Sequence, residues 1–373
     1  MTRRSKPAEH YLNTATRETL MFAHKHYVPV LKCKNGDLWS LQNLKPTSTS
    51  RITPVIEIVP PSPKQSENDR LQWSVEKIAQ AWGGKLFFAD LIWRQAVPPL
   101  GGGMHVVTAF FDLARARNLN TVPVTALDRN PAFQTAVAGV IAQDKRGVAV
   151  RLGSQYFSNR TTLAAALAGL LTVLSVSRNQ VDLIVDFGHI GQIAPGLIPG
   201  LIHTAIAMLP NINDWRTLTV VSGSFPPSVT VLNQGVWNVL PRVEWMSWRT
   251  VVTGTPSPAR LPSYGDYTVG DPNLPYSGQA LVAVNLRYSA DDDFFVWRGH
   301  AANHHAAGYG QIYTICANLV TLPQFTGAGF SAGDAEIQLR STMTGSTGGP
   351  EAWRKWATNH YLELVVTQIA SLP

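Results

Sequence analysis

Cysteine is nearly absent: Cys33 and Cys316 are the only two in 373 residues, and they lie far apart. That excludes a disulfide framework and a cysteine-rich zinc site, and makes a reducing cytoplasm the expected location. Long hydrophobic runs are missing too. The longest, residues 163–174, spans 12 residues. A membrane span needs about 20, so the run reads as a buried helix and no membrane partner is expected. No apolar stretch follows Met1-Thr-Arg-Arg-Ser-Lys6, so no signal peptide is expected. A Walker A loop, a G-x-S-x-G elbow and a dinucleotide fingerprint are all absent. Gly101-Gly-Gly103 and Gly345-Ser-Thr-Gly-Gly349 read as turns rather than phosphate cradles. Charge is sparse, at 15% of residues, and the basic ones are scattered.

What is present supports a large folded core. Hydrophobic residues make up 45% of the chain and mean hydropathy is near zero. The net charge is +7, with a pI near 9.5. This balance suits an anionic partner such as nucleic acid, a nucleotide or phosphate, although charge of this size also serves solubility alone.

Eight short apolar runs end in a polar or charged residue. They are Ile52-Thr-Pro-Val-Ile-Glu57, Leu86-Phe-Phe-Ala-Asp90, Val122-Pro-Val-Thr125, Val148-Ala-Val-Arg151, Leu183-Ile-Val-Asp186, Leu218-Thr-Val-Val-Ser222, Val243-Glu-Trp-Met-Ser247 and Ser263-Tyr-Gly-Asp266. Their starts are separated by 34, 36, 26, 35, 35, 25 and 20 residues. A βα unit takes about 30 residues, so six units fit and the last is short. Between the runs, Leu71, Val75, Ile78 and Trp82 share one helical face, as do Leu163, Leu167, Leu170 and Leu174. The expected fold is an α/β, (β/α)8 TIM-like barrel with irregular last units; a doubly wound open sheet is the alternative. Residues 1–26 read as an N-terminal arm, 27–272 as the barrel and 273–373 as an α+β extension packing on it. Within that extension residues 280–286 and 294–297 read as strands and residues 350–364 as an amphipathic helix, and the tail as a whole could pack across one end of the barrel as a lid. A further strand is expected at Tyr27-Val-Pro-Val-Leu-Lys32, ahead of the counted eight.

Barrels place their ligands at the C-terminal ends of the strands. There the sequence supplies four carboxylates, Glu57, Asp90, Asp186 and Asp266, a set able to hold Mg²⁺ or Mn²⁺. Arg151, Arg249, Arg287 and Arg298 offer forks for phosphate. Ser222 and Ser224 fall near the last strands, where barrels commonly bind phosphate. His189 follows the fifth counted run, and His300 is four residues from His304. Both His189 and His300 are candidates for proton transfer, Glu57 and Asp186 for direct catalysis. The aromatics Trp245, Trp248, Tyr264, Tyr267, Tyr288, Trp297 and Tyr309 either stack bases or pack a core. Carboxylates and arginines on one rim also occur as structural ion pairs.

Several segments together resemble the beta protein family, named for a bacteriophage T4 protein. They are Tyr27-Val-Pro-Val-Leu-Lys-Cys-Lys-Asn-Gly-Asp37, Ile52-Thr-Pro-Val-Ile-Glu-Ile58, Tyr264-Gly-Asp-Tyr267, Val284-Asn-Leu-Arg-Tyr288, Trp297-Arg-Gly299 and Thr358-Asn-His360. The resemblance runs from about Tyr27 to the C-terminus. It implies a phage or bacterial origin, often in mobile or defence-related regions, and no agreed activity. It singles out Glu57, Arg151, Asp186, Tyr264, Asp266, Arg287 and Asn359-His360.

Three functions are consistent with these residues. The first is metal-assisted hydrolysis of a nucleotide or nucleic-acid phosphodiester. The second is a non-catalytic barrel that binds nucleic acid or a phage or host protein. The third is a barrel enzyme acting on a small carboxylate or sugar, with Arg151 binding the acid and Glu57 as base. The second predicts rim carboxylates tied into internal salt bridges. The first predicts them converging on an open metal site.

Overall fold

The computed structural model describes residues 22–273 and 283–373. The expected strand within residues 280–286 therefore begins outside the described residues, as does most of the expected N-terminal arm.

Eight parallel strands form one sheet in the order β1 (Val30–Lys32), β2 (Val55–Glu57), β3 (Phe87–Asp90), β4 (Thr121–Thr125), β5 (Val148–Gly153), β6 (Val181–His189), β7 (Thr217–Gly223) and β9 (Ser263–Asp266). The sheet closes on itself. Tyr27, just ahead of β1, bridges to Tyr264 on β9, and the Val28 amide donates to the Tyr264 carbonyl at 2.8 Å. The fold is a (β/α)8 barrel rather than an open sheet. Its strands are apolar on both faces because each is covered twice. Val30, Val55, Phe88, Val122, Val124, Ala149, Ile184 and Val221 fill the interior. Leu31, Ile56, Ala89, Val150 and Val185 point outward into a second, larger core beneath the helices. Phe22 packs against the edge of the interior cluster.

The helices are α1 (Asn35–Gln42), the single turn α2 (Pro46–Thr49), α3 (Glu67–Trp82), α4 (Val106–Ala116), α5 (Pro131–Asp144), α6 (Arg160–Leu174) and α7 (Ile198–Met208), followed by α8 (Val243–Thr253), α9 (Gln311–Leu319), α10 (Ala332–Ser341) and α11 (Pro350–Ala370). Their starts are chemically marked. Ser66 and Asp69 form a capping box on α3, and the side chains of Asn130 and Asn159 accept amides at the starts of α5 and α6.

Two expectations are corrected. Residues 243–247 are not a strand but the start of α8. Val243, Glu244, Trp245, Ser247, Trp248 and Val251 are its buried positions, a helical spacing that a five-residue window does not reveal. The missing strand is β1, which lies inside the barrel rather than ahead of it. The last units are thus not compressed. Between β7 and β9 the chain fits α8 and also an inserted strand, β8 (Trp237–Pro241).

The second correction concerns the C-terminal helix. It does not lie across an end of the barrel as a lid. Tyr361, Leu362, Val365 and Ile369 join the core beneath the barrel helices, and α11 packs on α1. Arg242, at the start of α8, donates to Gln368 and to the Tyr361 hydroxyl. So α11 fills the eighth helical position. Its first half, with α9 and α10, covers an antiparallel sheet of β10 (Ala283–Ala290), β11 (Asp293–Ala301) and β8.

Candidate functional site

Parallel pairing sets the heights of the strand ends. Lys32 pairs with Glu57, and Glu57 with Asp90, so these three sit side by side on one level of β1, β2 and β3. Each is two residues on from an interior apolar residue, so each points into the barrel. Arg151 on β5 and Asp186 on β6 alternate the same way. The result is a charged layer above the apolar interior, at the C-terminal mouth.

Arg151 is its centre. Nη1 donates to Glu57 Oε1 at 2.9 Å and to Asp90 Oδ2 at 2.7 Å. Nε donates to Asp186 Oδ2 at 2.7 Å, and Nη2 to the Tyr267 hydroxyl at 2.6 Å. That hydroxyl donates in turn to Asp186 at 2.6 Å. Lys32 Nζ donates to Glu57 Oε2 at 2.5 Å and Trp93 Nε1 to the same oxygen at 2.8 Å. Arg129 Nη2 completes Asp90 at 3.2 Å. Three carboxylates therefore face three cations, almost wholly out of water. Burial alone would raise the Glu57 carboxyl, but Arg151 and then Lys32 overcome it and hold it below the usual range.

Asp266 lies apart from this layer. The inward position of β9 is Gly265, where a Cβ would come within 2.6 Å of Val221 and 2.8 Å of the Val28 carbonyl. Asp266 therefore points outward, accepting from the hydroxyls of Tyr27 and Tyr361, each at 2.7 Å. Burial raises its carboxyl, against those hydrogen bonds. The expected rim of four carboxylates is thus split: three converge on a guanidinium and the fourth sits outside the barrel wall. Among the described residues no group of three or more His, Cys, Asp or Glu side chains is placed to hold a metal ion.

Other expected site residues have structural partners. Arg249 forms a two-pronged pair with Asp292 on the outer face of α8. Arg298 clamps the carbonyls of Thr230 and Leu232. Ser224 donates to Glu244, tying the loop after β7 to α8, and Ser222 is buried on β7. Tyr264 is buried against Tyr27, Trp245 and Trp248, so these aromatics pack a core. His300 is exposed on β11, stacked on His305. The Asn359-His360 motif is a clasp. Asn359 joins the starts of α10 and the end of α1, and His360 bridges Asp334 at 2.9 Å and the Ser289 carbonyl at 2.7 Å.

Two recesses open at the mouth. One of about 140 Å³ lies over Arg151 and Asp186 and is lined by Asp128, Arg129, Gln155 and Tyr156. The other, about 600 Å³, is walled by Lys32, Lys34, Arg287, Arg354, Asp37 and Asp271. His189 Nδ1 lies 3.7 Å from Asp271 at its side. A larger cleft, about 760 Å³, lies at the opposite end where the strands begin, the end that serves stability in such barrels. Sequence reasoning missed Lys32, Lys34, Arg129 and Arg354. Lys32 was legible as a strand end; Arg354 reaches the mouth only because α11 returns to the barrel.

The fold and its charged mouth define a (β/α)8 barrel with an α+β extension and a matched ion cluster at its C-terminal face. The chain belongs to the family described as Beta protein, whose model matches residues 27–367. A comparison with curated proteins finds no match. Among the described residues no helix is long and apolar enough to cross a membrane.

Proposed function

We propose that this barrel recognises a nucleotide or nucleic acid through phosphate, without metal-assisted hydrolysis at its rim carboxylates. One observation carries this reading: the Arg151 guanidinium occupies the centre of Glu57, Asp90 and Asp186, where a catalytic dication would have to sit. A buried charge cluster of this kind is balanced internally, three carboxylates against three cations, so a metal could enter only by displacing the guanidinium. The net charge of +7 and the cation-walled recess beside the cluster supply attraction for phosphate instead.

The test is titration of a labelled single-stranded oligonucleotide with purified protein, in EDTA and again in Mg²⁺ or Mn²⁺. Binding that weakens steeply with salt, with the oligonucleotide intact in every buffer, is expected. Shortening of the oligonucleotide in Mn²⁺, lost in Glu57→Gln, would return the carboxylates to catalysis.

A further inference from the structure

Within the larger recess the cations are not balanced as they are around Arg151. Arg287, on β10, lies over the Phe225 ring at 4.5 Å and donates Nη1 to the Val269 carbonyl. Its Nε is buried and has no partner among the described residues. Arg354, on α11, also has a buried Nε without a partner; its nearest carboxylate oxygen, on Asp37, is 4.0 Å away. Burial, and then the charge of Arg354, push the Arg287 guanidinium down to about 9, still charged at neutral pH. Lys34, also in the wall, is lowered by burial and next by Arg354. Besides Lys32, which is paired with Glu57, three cations thus share one recess and repel one another.

Among the described residues no acidic group hydrogen-bonds to the side chains of Arg287, Arg354 or Lys34, although Asp37 stands 4.0 Å from Arg354 Nε and Asp271 Oδ2 is buried without a partner. Asp37 accepts the Lys32 amide at 2.9 Å. Asp271 accepts the Asn273 amide at 2.8 Å and faces His189. Glu351 is exposed at the outer lip. The wall is also shaped to hold the arginine. A Cβ on Gly270 would stand 2.3 Å from Arg354 Nη2, so the bare glycine lets the guanidinium lie against the loop after β9.

Resting on the reading of this mouth as a phosphate-binding surface, we infer that the recess between Arg287 and Arg354 is a subsite for a phosphate monoester, the terminal phosphate of a nucleotide or of a nucleic-acid strand. Two guanidinium forks and an ammonium group suit three terminal oxygens carrying close to two charges. A backbone diester, with two free oxygens and one charge, satisfies fewer of them. The recess opens at the mouth and, at about 600 Å³, has room for a strand end.

The experiment compares two labelled single-stranded oligonucleotides of one sequence, one with a 5′-phosphate and one with a 5′-hydroxyl, in EDTA. A 3′-phosphorylated third covers the other polarity. A terminal phosphate should tighten binding about tenfold or more, the size of one good charge-assisted contact. Arg354→Gln and Arg287→Gln should abolish the preference, so that each variant binds the phosphorylated and hydroxyl forms equally. Circular dichroism confirms that each variant is folded, and Arg354→Lys should restore part of the preference. A mononucleotide and inorganic phosphate serve as competitors, to separate a nucleotide site from one for phosphate alone. If all oligonucleotides bind equally and neither variant matters, the subsite is overturned while phosphate recognition by the barrel stands. If no oligonucleotide binds but inorganic phosphate stabilises wild type and not Arg354→Gln, the subsite stands and the nucleic-acid reading falls. If phosphate stabilises neither protein, both fall.

Discussion

The Arg151 cluster and the Arg287–Arg354 recess lie at the same end of one barrel and handle charge in opposite ways. Around Arg151 every carboxylate has a cation and every carboxylate oxygen at least one donor. In the recess, Arg287 and Arg354 have no carboxylate within hydrogen-bond distance among the described residues, the nearest to Arg354 being Asp37 at 4.0 Å. Removing charges from water is costly, and an ion cluster offsets that cost internally. The recess does not, which is the ground for the anion subsite proposed there. On the proposed reading, matched charge at the mouth builds the barrel and unmatched charge marks the surface for a ligand.

Breaking the matched side should have the largest effect. Arg151→Leu leaves three buried carboxylates facing only Lys32 and Arg129. It should cost about 3–5 kcal/mol of stability, read by urea unfolding at neutral pH. A cost under about 1 kcal/mol would mean that the cluster is not structural.

Glu244, outside the barrel wall, sharpens the comparison through pH. Burial raises its carboxyl to about 7, against its hydrogen bond from Ser224 and the charge of Arg242. A folded-state value above the ordinary 4.5 means that its contribution is complete below about pH 4.5 and lost as pH rises through about 7. Glu244→Gln, permanently neutral, should gain on wild type across that window by up to a few kcal/mol, then level off. Parallel stability profiles for the two proteins between pH 5 and 8 would contradict this.

Tyr361→Phe removes one hydroxyl from Asp266 and an acceptor from Arg242. The expected loss is about 1–3 kcal/mol by the same unfolding measurement, with no change in oligonucleotide affinity. A change in affinity would bring Asp266 back into the site. Gly270→Ala should have the smallest effect on stability, within about 0.5 kcal/mol, because the atom it meets is the end of a flexible arginine. It should nonetheless weaken binding of the 5′-phosphorylated oligonucleotide by displacing Arg354. Unchanged affinity would detach Gly270 from the recess.

Much of this architecture was legible as sequence. Apolar runs about 35 residues apart mark the strands, and their last residues, Glu57, Asp90, Arg151 and Asp186, do face the mouth. Face and partner were not legible. Asp266 ends its run in the same way as Asp90, yet it points outward because Gly265 takes the crowded inward position. Residues 243–247 are too few to separate a buried strand from the first turn of a helix. Arg354 and Lys34 share one wall although some 320 residues separate them. That proximity depends on α11 filling the eighth helical place, which no local pattern encodes.

The most direct measurement is urea unfolding of wild type and Arg354→Gln, each with and without inorganic phosphate. Without phosphate the two should unfold at the same urea concentration, or the variant slightly later, because a repelling charge is gone. With phosphate only wild type should shift upward. An Arg354→Gln protein as unstable as Arg151→Leu, or one that phosphate stabilises as much as wild type, would contradict the division between matched and unmatched charge.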